Sequence, residues 1–551
     1  MNLTKKFTFC LLILFSAIFA YFWSLLLPAN NWETDYGHLY YISMFNDSSK
    51  NLYVDFFSHK GPITIFFIDI CKFFIGSGWK QSILVLSFSL FFFLIISIIV
   101  FFNLSSSYFV SILTFFYSIF FFRFQGTNIY VDLLLNTFLF LVFYFFLKSL
   151  NITNSKLFKR NIILTSIFLN LAILTRIDVL FYFFPIFLII LFFLINEKKL
   201  FLLSKITILQ VVIFTLFIFL FFFNFYNYSL YDYINYNVIF NIEYSIDFRK
   251  FKNLNNLYSY LPNKLAIFAL VIKIFYYYNN RKLFSKFLFF TLILLSILQI
   301  IFFSLKINIV IFFLCIFALE IFFVFLNFFT NDKYKEYILL AILFINFTSY
   351  FIFLYSGSFK LNHALILQTG STFFLFFFLK SIYDYKFKFK SHICIILIFF
   401  FLDQNFKLFK STYNEIKRNN LLSYNNKFDS FFYDFKKIQD MEIIKFMNLN
   451  SVPIVCDRGW QHIFIEKESP GFMFDWWFYD DRKSIKSSAF DKFISNLNNK
   501  KFGEYFLIEN GCLDKKEIFS KSPIIINLIK KSNPVKEMNF FDLVYQLRKI
   551  N

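Results

Sequence analysis

Long apolar runs separated by short polar loops recur through most of this chain, and they constrain its fold more than any other feature. A helix rises ~1.5 Å per residue, so ~20 apolar residues cross the ~30 Å hydrocarbon core of a bilayer. Hydrophobic residues make up 58% of the 551 residues, too many for a water-soluble globule with a polar surface. The pattern therefore predicts a polytopic membrane protein.

The first apolar run, ~20 residues long, follows Lys5 and Lys6 near the N-terminus. It is longer than the apolar core of a signal peptide and has no A-x-A cleavage site, so we predict an uncleaved signal anchor. With this anchor, the sequence predicts about 13 spans. The others are expected at 81–102, 107–122, 129–149, 161–175, 178–196, 203–224, 264–279, 284–304, 307–328, 335–355, 363–380 and 391–406.

The segment 63–75 decides the orientation of the spans that follow it. It is apolar but short, and it carries Asp69 and Lys72, so we expect it to lie in the interface or to re-enter instead of crossing. With a cytoplasmic N-terminus, the lysine-rich loops then all face the cytoplasm, as the positive-inside rule requires. These loops also explain the net charge of +21 without a nucleic-acid partner. They comprise residues 148–160, 196–205, 279–286, 331–335 and 380–390.

The tail from 407 to 551 is polar and charged, unlike the membrane portion 1–406. Patterns typical of strands occur at 451–457, 502–510 and 541–547, and patterns typical of helices near 484–498 and 523–531. We predict an all-α polytopic membrane domain followed by a C-terminal extracytoplasmic α/β domain. Cys456 and Cys512 could form a disulfide in an oxidising compartment, or remain free.

Polar residues are concentrated in the loop 28–80, which follows the first span and lies on the extracytoplasmic side in this topology. The loop contains three polar motifs before the next apolar run. They are, in order, TDYGHLYY with its acidic residue, YVDFF and HKGP. This order resembles the first extracytoplasmic loop of the GT-C glycosyltransferases. The most similar branches are bacterial proteins related to dolichyl-phosphate-mannose protein mannosyltransferases and the lipid A aminoarabinose transferases.

The resemblance implies a GT-C-like membrane domain that transfers a sugar, with inversion, from a polyprenyl-phosphate carrier to an acceptor. A glycosyl phosphate already has a good leaving group, so one carboxylate can act as the general base on the acceptor hydroxyl. Asp35 matches the catalytic acid of the resembled family, with Glu33 as its nearest competitor. Asp132, one turn into the span at 129–149, matches a second acid, and its alternative is a structural partner for Arg123 or Arg176.

A phosphodiester also needs cationic side chains around it, and the outer loops supply several candidates. Arg176 could instead pair with Asp178, and His363 lacks the aromatic that often follows it in the family, since Ala364 stands there. Two acids are further candidates for substrate binding. Asp55 matches the loop acid of the resembled family, or it is a local cap. Glu243 lines the sugar or acceptor site, or it belongs to a loop of interfacial tyrosines. The candidate phosphate ligands are His59, Lys60, Arg176, Lys360 and His363.

No cofactor is required by this interpretation, although Asp35, His38 and Asp132 could hold a divalent cation. The expected partners are the polyprenyl-phosphate-linked sugar, membrane lipids, and a lipid, glycan or protein acceptor. The expected location is the inner (plasma) membrane, with the active site and the C-terminal domain extracytoplasmic. The alternative is a transporter or flippase of lipid-linked saccharides, for which Glu320 within a span is the main supporting residue.

Overall fold

The structure, a computed structural model, describes the N-terminal half of the chain most fully. The described residues are 3–26, 35–45, 60–77, 79–105, 107–121, 129–150, 155–196, 201–220, 230–239, single positions between 338 and 391, 454–455, 504–510, 529–540 and 543–551.

The described membrane portion is mostly helical. The helices are α1 (Leu3–Leu26), α2 (Asp35–Phe45), α3 (Pro62–Ile75), α4 (Trp79–Leu104), α5 (Tyr108–Phe121), α6 (Ile129–Leu150), α7 (Ser155–Thr175), a 3-10 helix (Ile177–Tyr182), α8 (Phe183–Asn196), α9 (Phe201–Phe219), and α10 (Leu230–Tyr233), which continues as a π-helix over Ile234–Ile239.

Five helical stretches of the described residues are long and apolar enough to cross a membrane. They are Leu84–Leu104, Leu133–Leu150, Lys156–Thr175, Ile177–Ile195 and Phe201–Phe219, and shorter apolar stretches occupy Phe7–Tyr21 and Tyr108–Ile119. This confirms a polytopic helical membrane portion. The spans predicted between 264 and 328 and at 391–406 lie almost wholly outside the described residues, so the total of about 13 stays a prediction.

The helices are held together by aromatic packing and by a few polar contacts. α4 packs against α1, α5 and α6, and α6 packs against α7. Phe140 of α6 contacts Phe93 and Phe101 of α4 and also Phe373, which belongs to the predicted span at 363–380. Several buried hydroxyls bond to a carbonyl of their own helix, as when Ser97 donates to the Phe93 carbonyl at 2.9 Å, because lipid offers no hydrogen-bond partner.

Helix α3 has clear start and stop signals. Pro62 occupies its first turn, where a backbone N–H is not needed, and Gly61 precedes it in an extended conformation. Gly76 ends the helix with φ of 82°, a left-handed value that glycine adopts easily, and its N–H donates to the Lys72 carbonyl at 2.8 Å. With 14 residues, α3 is ~21 Å long. It is therefore shorter than the hydrocarbon core, as expected for the segment 63–75.

The described part of the tail contains a four-stranded sheet in the order β1-β2-β4-β3. Its strands are β1 (Ile454–Val455), β2 (Tyr505–Glu509), β3 (Ser532–Phe540) and β4 (Leu543–Ile550). β1 pairs with β2 in parallel, whereas β2 and β3 both pair with β4 antiparallel. Strands β1, β2 and β4 fall within or overlap the predicted strands, but β3 was not predicted.

Candidate active site

The predicted general base lies at the beginning of a helix. Asp35 is the first residue of α2, and the structure describes its backbone but not its side chain. α2 packs against α3 and α6. The position is one in which the partial positive charge of a helix N-terminus stabilises a carboxylate.

The second predicted acid lies in one of the helices that contact α2. α6 begins at Ile129, so Asp132 is one turn inside it, as the sequence predicted. The side chain of Asp132 is also outside the described set. The structure therefore makes the two acid-bearing helices neighbours.

Two of the predicted phosphate ligands come from distant parts of the chain that meet through the backbone. The N–H of Gly61 donates to the Thr175 carbonyl at 3.2 Å. A Cβ on Gly61 would overlap the Leu174 carbonyl oxygen, so the two segments are in direct contact there. Lys60 immediately precedes this contact and Arg176 immediately follows it, which places the backbones of both cations at the same junction of α3 and α7.

The alternative in which Arg176 pairs with Asp178 is realised in the structure. Nε and Nη2 of Arg176 donate to Oδ2 of Asp178 at 3.0 and 2.7 Å. The two side chains are only 14% and 16% exposed, so the pair is largely shielded from water. Oδ1 of Asp178 is buried and accepts no hydrogen bond from the described residues. The guanidinium is thus held in one orientation by a carboxylate that has a spare acceptor oxygen.

A turn of 3-10 helix maintains this arrangement. The Arg176 N–H donates to the Ala172 carbonyl at 3.0 Å, which extends α7 by one residue, and the Val179 N–H donates to the Arg176 carbonyl at 3.2 Å. Tyr182, at the end of the 3-10 helix, shares a hydrogen bond of 2.5 Å with Ser349. The charged pair therefore lies between two structured elements and not in an open loop.

The sequence did not reveal the partner of Gly61 or the spare oxygen of Asp178. The motif Lys60-Gly61-Pro62 indicates a tight turn, but nothing in it identifies the carbonyl that the turn contacts. The ion pair could be predicted, because Arg176 and Asp178 are two residues apart at the end of a predicted span.

The other predicted site residues lie outside the described residues. These are His59, Asp55, Glu243, Lys360 and His363, and their proposed roles stay predictions. Among the side chains that the structure describes, no three His, Cys, Asp or Glu residues come together as a metal-ligand group.

No protein-family model and no curated protein matches this chain. Among solved structures, it is similar to the crystal structure of the Archaeoglobus fulgidus oligosaccharyltransferase in complex with zinc and sulfate. The identity is 12% and the TM-score is 0.43, with 96% of this chain and 71% of the archaeal chain covered.

Proposed function

We propose that this protein is an integral-membrane inverting glycosyltransferase. It moves a sugar from a polyprenyl-phosphate carrier to an acceptor hydroxyl on the extracytoplasmic face of the plasma membrane. The observation that carries the proposal is the hydrogen bond from Gly61 to Thr175, since it joins the two backbone segments from which Lys60 and Arg176 project.

Charge balance explains why two cations suit this reaction. The donor is a phosphodiester with one negative charge, and the departing polyprenyl phosphate gains a second when the bond to the sugar breaks. Lys60 and Arg176 would stabilise this developing charge, which is where fixed electrostatic groups contribute most to catalysis. Lys60 supplies a mobile point charge, and Arg176 supplies a guanidinium that its pair with Asp178 holds in a fixed orientation.

The acceptor side of the reaction needs a base. In our proposal the carboxylate of Asp35 takes the proton from the acceptor hydroxyl as its oxygen attacks the anomeric carbon. Asp132, on the neighbouring helix α6, orients the acceptor or the base. The product is an inverted glycoside, the carrier leaves as polyprenyl phosphate, and no protein acid is required for the leaving group.

Partners and location follow from this chemistry and are part of the proposal. The acceptor is a lipid, a glycan or a protein hydroxyl, and the C-terminal α/β domain at 407–551 stands on the same face of the membrane. Asp55, His59, Glu243, Lys360 and His363 are assigned to substrate binding. A divalent cation is not required for any step.

The test is sugar transfer by the purified full-length protein. Radiolabelled polyprenyl-phosphate sugars are offered with a membrane extract as acceptor, and label in the extract is measured. Asp35→Asn should lower kcat about 10²- to 10⁴-fold, because the amide cannot accept the proton. Glu33→Gln is the matched control, since it removes the nearest other carboxylate and should change transfer less than about two-fold.

Two results would overturn the proposal. Unchanged transfer by Asp35→Asn would remove the assigned base. Movement of the labelled carrier across liposomes without any transfer of sugar would instead favour the transporter or flippase.

A further inference from the structure

Two charged residues of α3 contact a single residue of α2, and the proposed chemistry does not use them. Asp69 and Lys72 are separated by one helical turn and form an ion pair of 3.8 Å. Their side chains are only 30% and 17% exposed. An ion pair in an otherwise apolar helix is unusual, because charges removed from water need specific partners.

Ser43 of α2 is the residue that both of them contact. Its hydroxyl donates to Oδ1 of Asp69, and its backbone carbonyl accepts a hydrogen bond from Nζ of Lys72. Ser43 is fully buried. Asp69 and Lys72 therefore form hydrogen bonds with the side chain and the main chain of one residue. We call this arrangement of Ser43, Asp69 and Lys72 the Ser43 clamp.

The Ser43 clamp acts at the C-terminal turn of α2. α2 ends at Phe45, so the carbonyl of Ser43 is among the last four, which have no partner inside the helix. A lysine ammonium at this point satisfies the carbonyl and complements the negative end of the helix. Burial lowers the pKa of Lys72, and the neighbouring Asp69 opposes that shift by stabilising the ammonium.

α2 depends on such contacts for its position. It has 11 residues, fewer than the ~12–15 that a helix needs to be stable by itself in water. Its other end carries Asp35, eight residues before Ser43 and therefore ~12 Å away along a rigid helix. α3, in turn, is fixed to α7 by the contact between Gly61 and Thr175.

We infer that Asp69 and Lys72 are positioning residues for the reaction, acting through Ser43 on the orientation of α2 and so on Asp35. The inference rests on the proposed function. It adds a series of contacts, from α7 to α3 and from α3 to α2, that fixes the position of the general base. A catalytic group displaced by about 1 Å loses on the order of 10²-fold in rate. Loss of the clamp should thus lower kcat without removing any group that touches the substrate.

The experiment combines kinetics with hydrogen exchange on the full-length protein in nanodiscs. In Lys72→Met, kcat should fall about 10- to 100-fold while KM for the polyprenyl-phosphate sugar changes less than about two-fold. Lys72→Arg restores a donor to the Ser43 carbonyl and should recover most of kcat. Lys159→Met, at an exposed lysine of α7, is the matched control and should behave as the wild type.

Hydrogen exchange separates failure of the clamp from failure of the proposed function. Amides of α2 should exchange about ten-fold faster in Lys72→Met, while those of α6 and α7 keep their protection. Unchanged exchange in α2 would overturn the inference even if the wild type transfers sugar. Faster exchange with an unchanged kcat would show that the clamp is structural only, which also overturns it. A wild type that transfers no sugar refutes the proposed function and leaves the clamp to be judged by exchange.

Discussion

Gly61 shows how one residue decides the geometry of the candidate site. Its backbone dihedrals, φ of −71° and ψ of 160°, are open to any amino acid, so conformational freedom is not the reason for glycine here. Space is the reason, because the Leu174 carbonyl occupies the position that a Cβ would take. The close approach lets the Gly61 N–H reach the Thr175 carbonyl and brings the backbones of Lys60 and Arg176 to the same junction.

Gly61→Ala should therefore destabilise the protein by about 1–3 kcal/mol through steric overlap with backbone atoms that cannot rotate away. The same substitution should raise KM for the donor, since Lys60 and Arg176 separate. Thermal unfolding in detergent and transfer kinetics measure the two effects.

Gly76→Ala is the informative comparison for Gly61→Ala. A Cβ on Gly76 would meet nothing within 4 Å, so its cost comes only from the positive φ of 82°. We expect about 1 kcal/mol and no change in KM. Equal effects of the two substitutions on KM would contradict the role assigned to the Gly61 contact.

The pairing of Arg176 with Asp178 makes a separate prediction. Lysine keeps the charge but cannot reproduce the donations from Nε and Nη2 to one carboxylate oxygen. A double-mutant cycle of Arg176→Lys and Asp178→Asn should give a coupling free energy of about 1–3 kcal/mol, as for hydrogen bonds to charged groups. Additive effects on the free energy of unfolding would show that the two donations from the Arg176 guanidinium contribute nothing beyond what a lysine provides.

Polar side chains between the helices supply contacts that apolar packing alone lacks. Thr369 donates to Oδ1 of Asn136 of α6 at 2.6 Å, and Gln210 of α9 donates to Asn170 of α7 at 3.0 Å. Asn136 and Thr369 are fully buried. Because lipid tails are as apolar as leucine, such hydrogen bonds and close packing hold membrane helices together.

The contact of Asn136 with Thr369 should contribute about 0.6 kcal/mol, and at most about 1.7 kcal/mol, as measured for interhelical hydrogen bonds in membranes. A double-mutant cycle of Asn136→Leu and Thr369→Val, followed by thermal unfolding, measures this coupling. Asn103→Leu is the matched control, because the exposed Asn103 donates to the Ile99 carbonyl of its own helix. It should change stability by less than about 0.5 kcal/mol. A coupling near zero would contradict the assignment.

The distribution of charge along the chain predicts the orientation of the whole molecule in the membrane. Lys148 lies in the last turn of α6, and Lys156, Lys159 and Arg160 lie in the first two turns of α7, so a basic cluster surrounds the α6–α7 junction. The positive-inside rule assigns that junction to the cytoplasm. We therefore predict that the Gly61–Thr175 contact, at the opposite end of α7, lies on the extracytoplasmic face.

Cysteine labelling tests this orientation. In a chain that retains only Cys71 of its native cysteines, Thr127→Cys should react with an impermeant maleimide in spheroplasts, and Thr153→Cys should react only after permeabilisation. Cys71 should stay unlabelled, because burial raises the pKa of its thiol to about 11 and thiolate is the reactive form. Labelling of Thr153→Cys in intact spheroplasts would invert the topology and remove the extracytoplasmic site.

The amino-acid sequence by itself determined the class of the protein and the long apolar helices of its described membrane portion, but not the short helix α2, which lies within the loop predicted at 28–80. Hydropathy is a property of consecutive residues, so the spans formed by α4, α6, α7 and α9, and the position of Asp132 within α6, could be predicted from local patterns. The same patterns could not predict β3, because SNPVKEMNF has no alternation of apolar residues and forms a strand only by pairing with β4.

Only the tertiary structure decided which of these elements meet. The Gly61–Thr175 hydrogen bond, the Ser43 clamp and the hydrogen bond between Asn136 and Thr369 each join residues far apart in the chain. Such contacts depend on how helices pack, and many packings are compatible with one pattern of apolar residues. The candidate site thus consists of residues that the sequence could name, in an arrangement that only the folded chain provides.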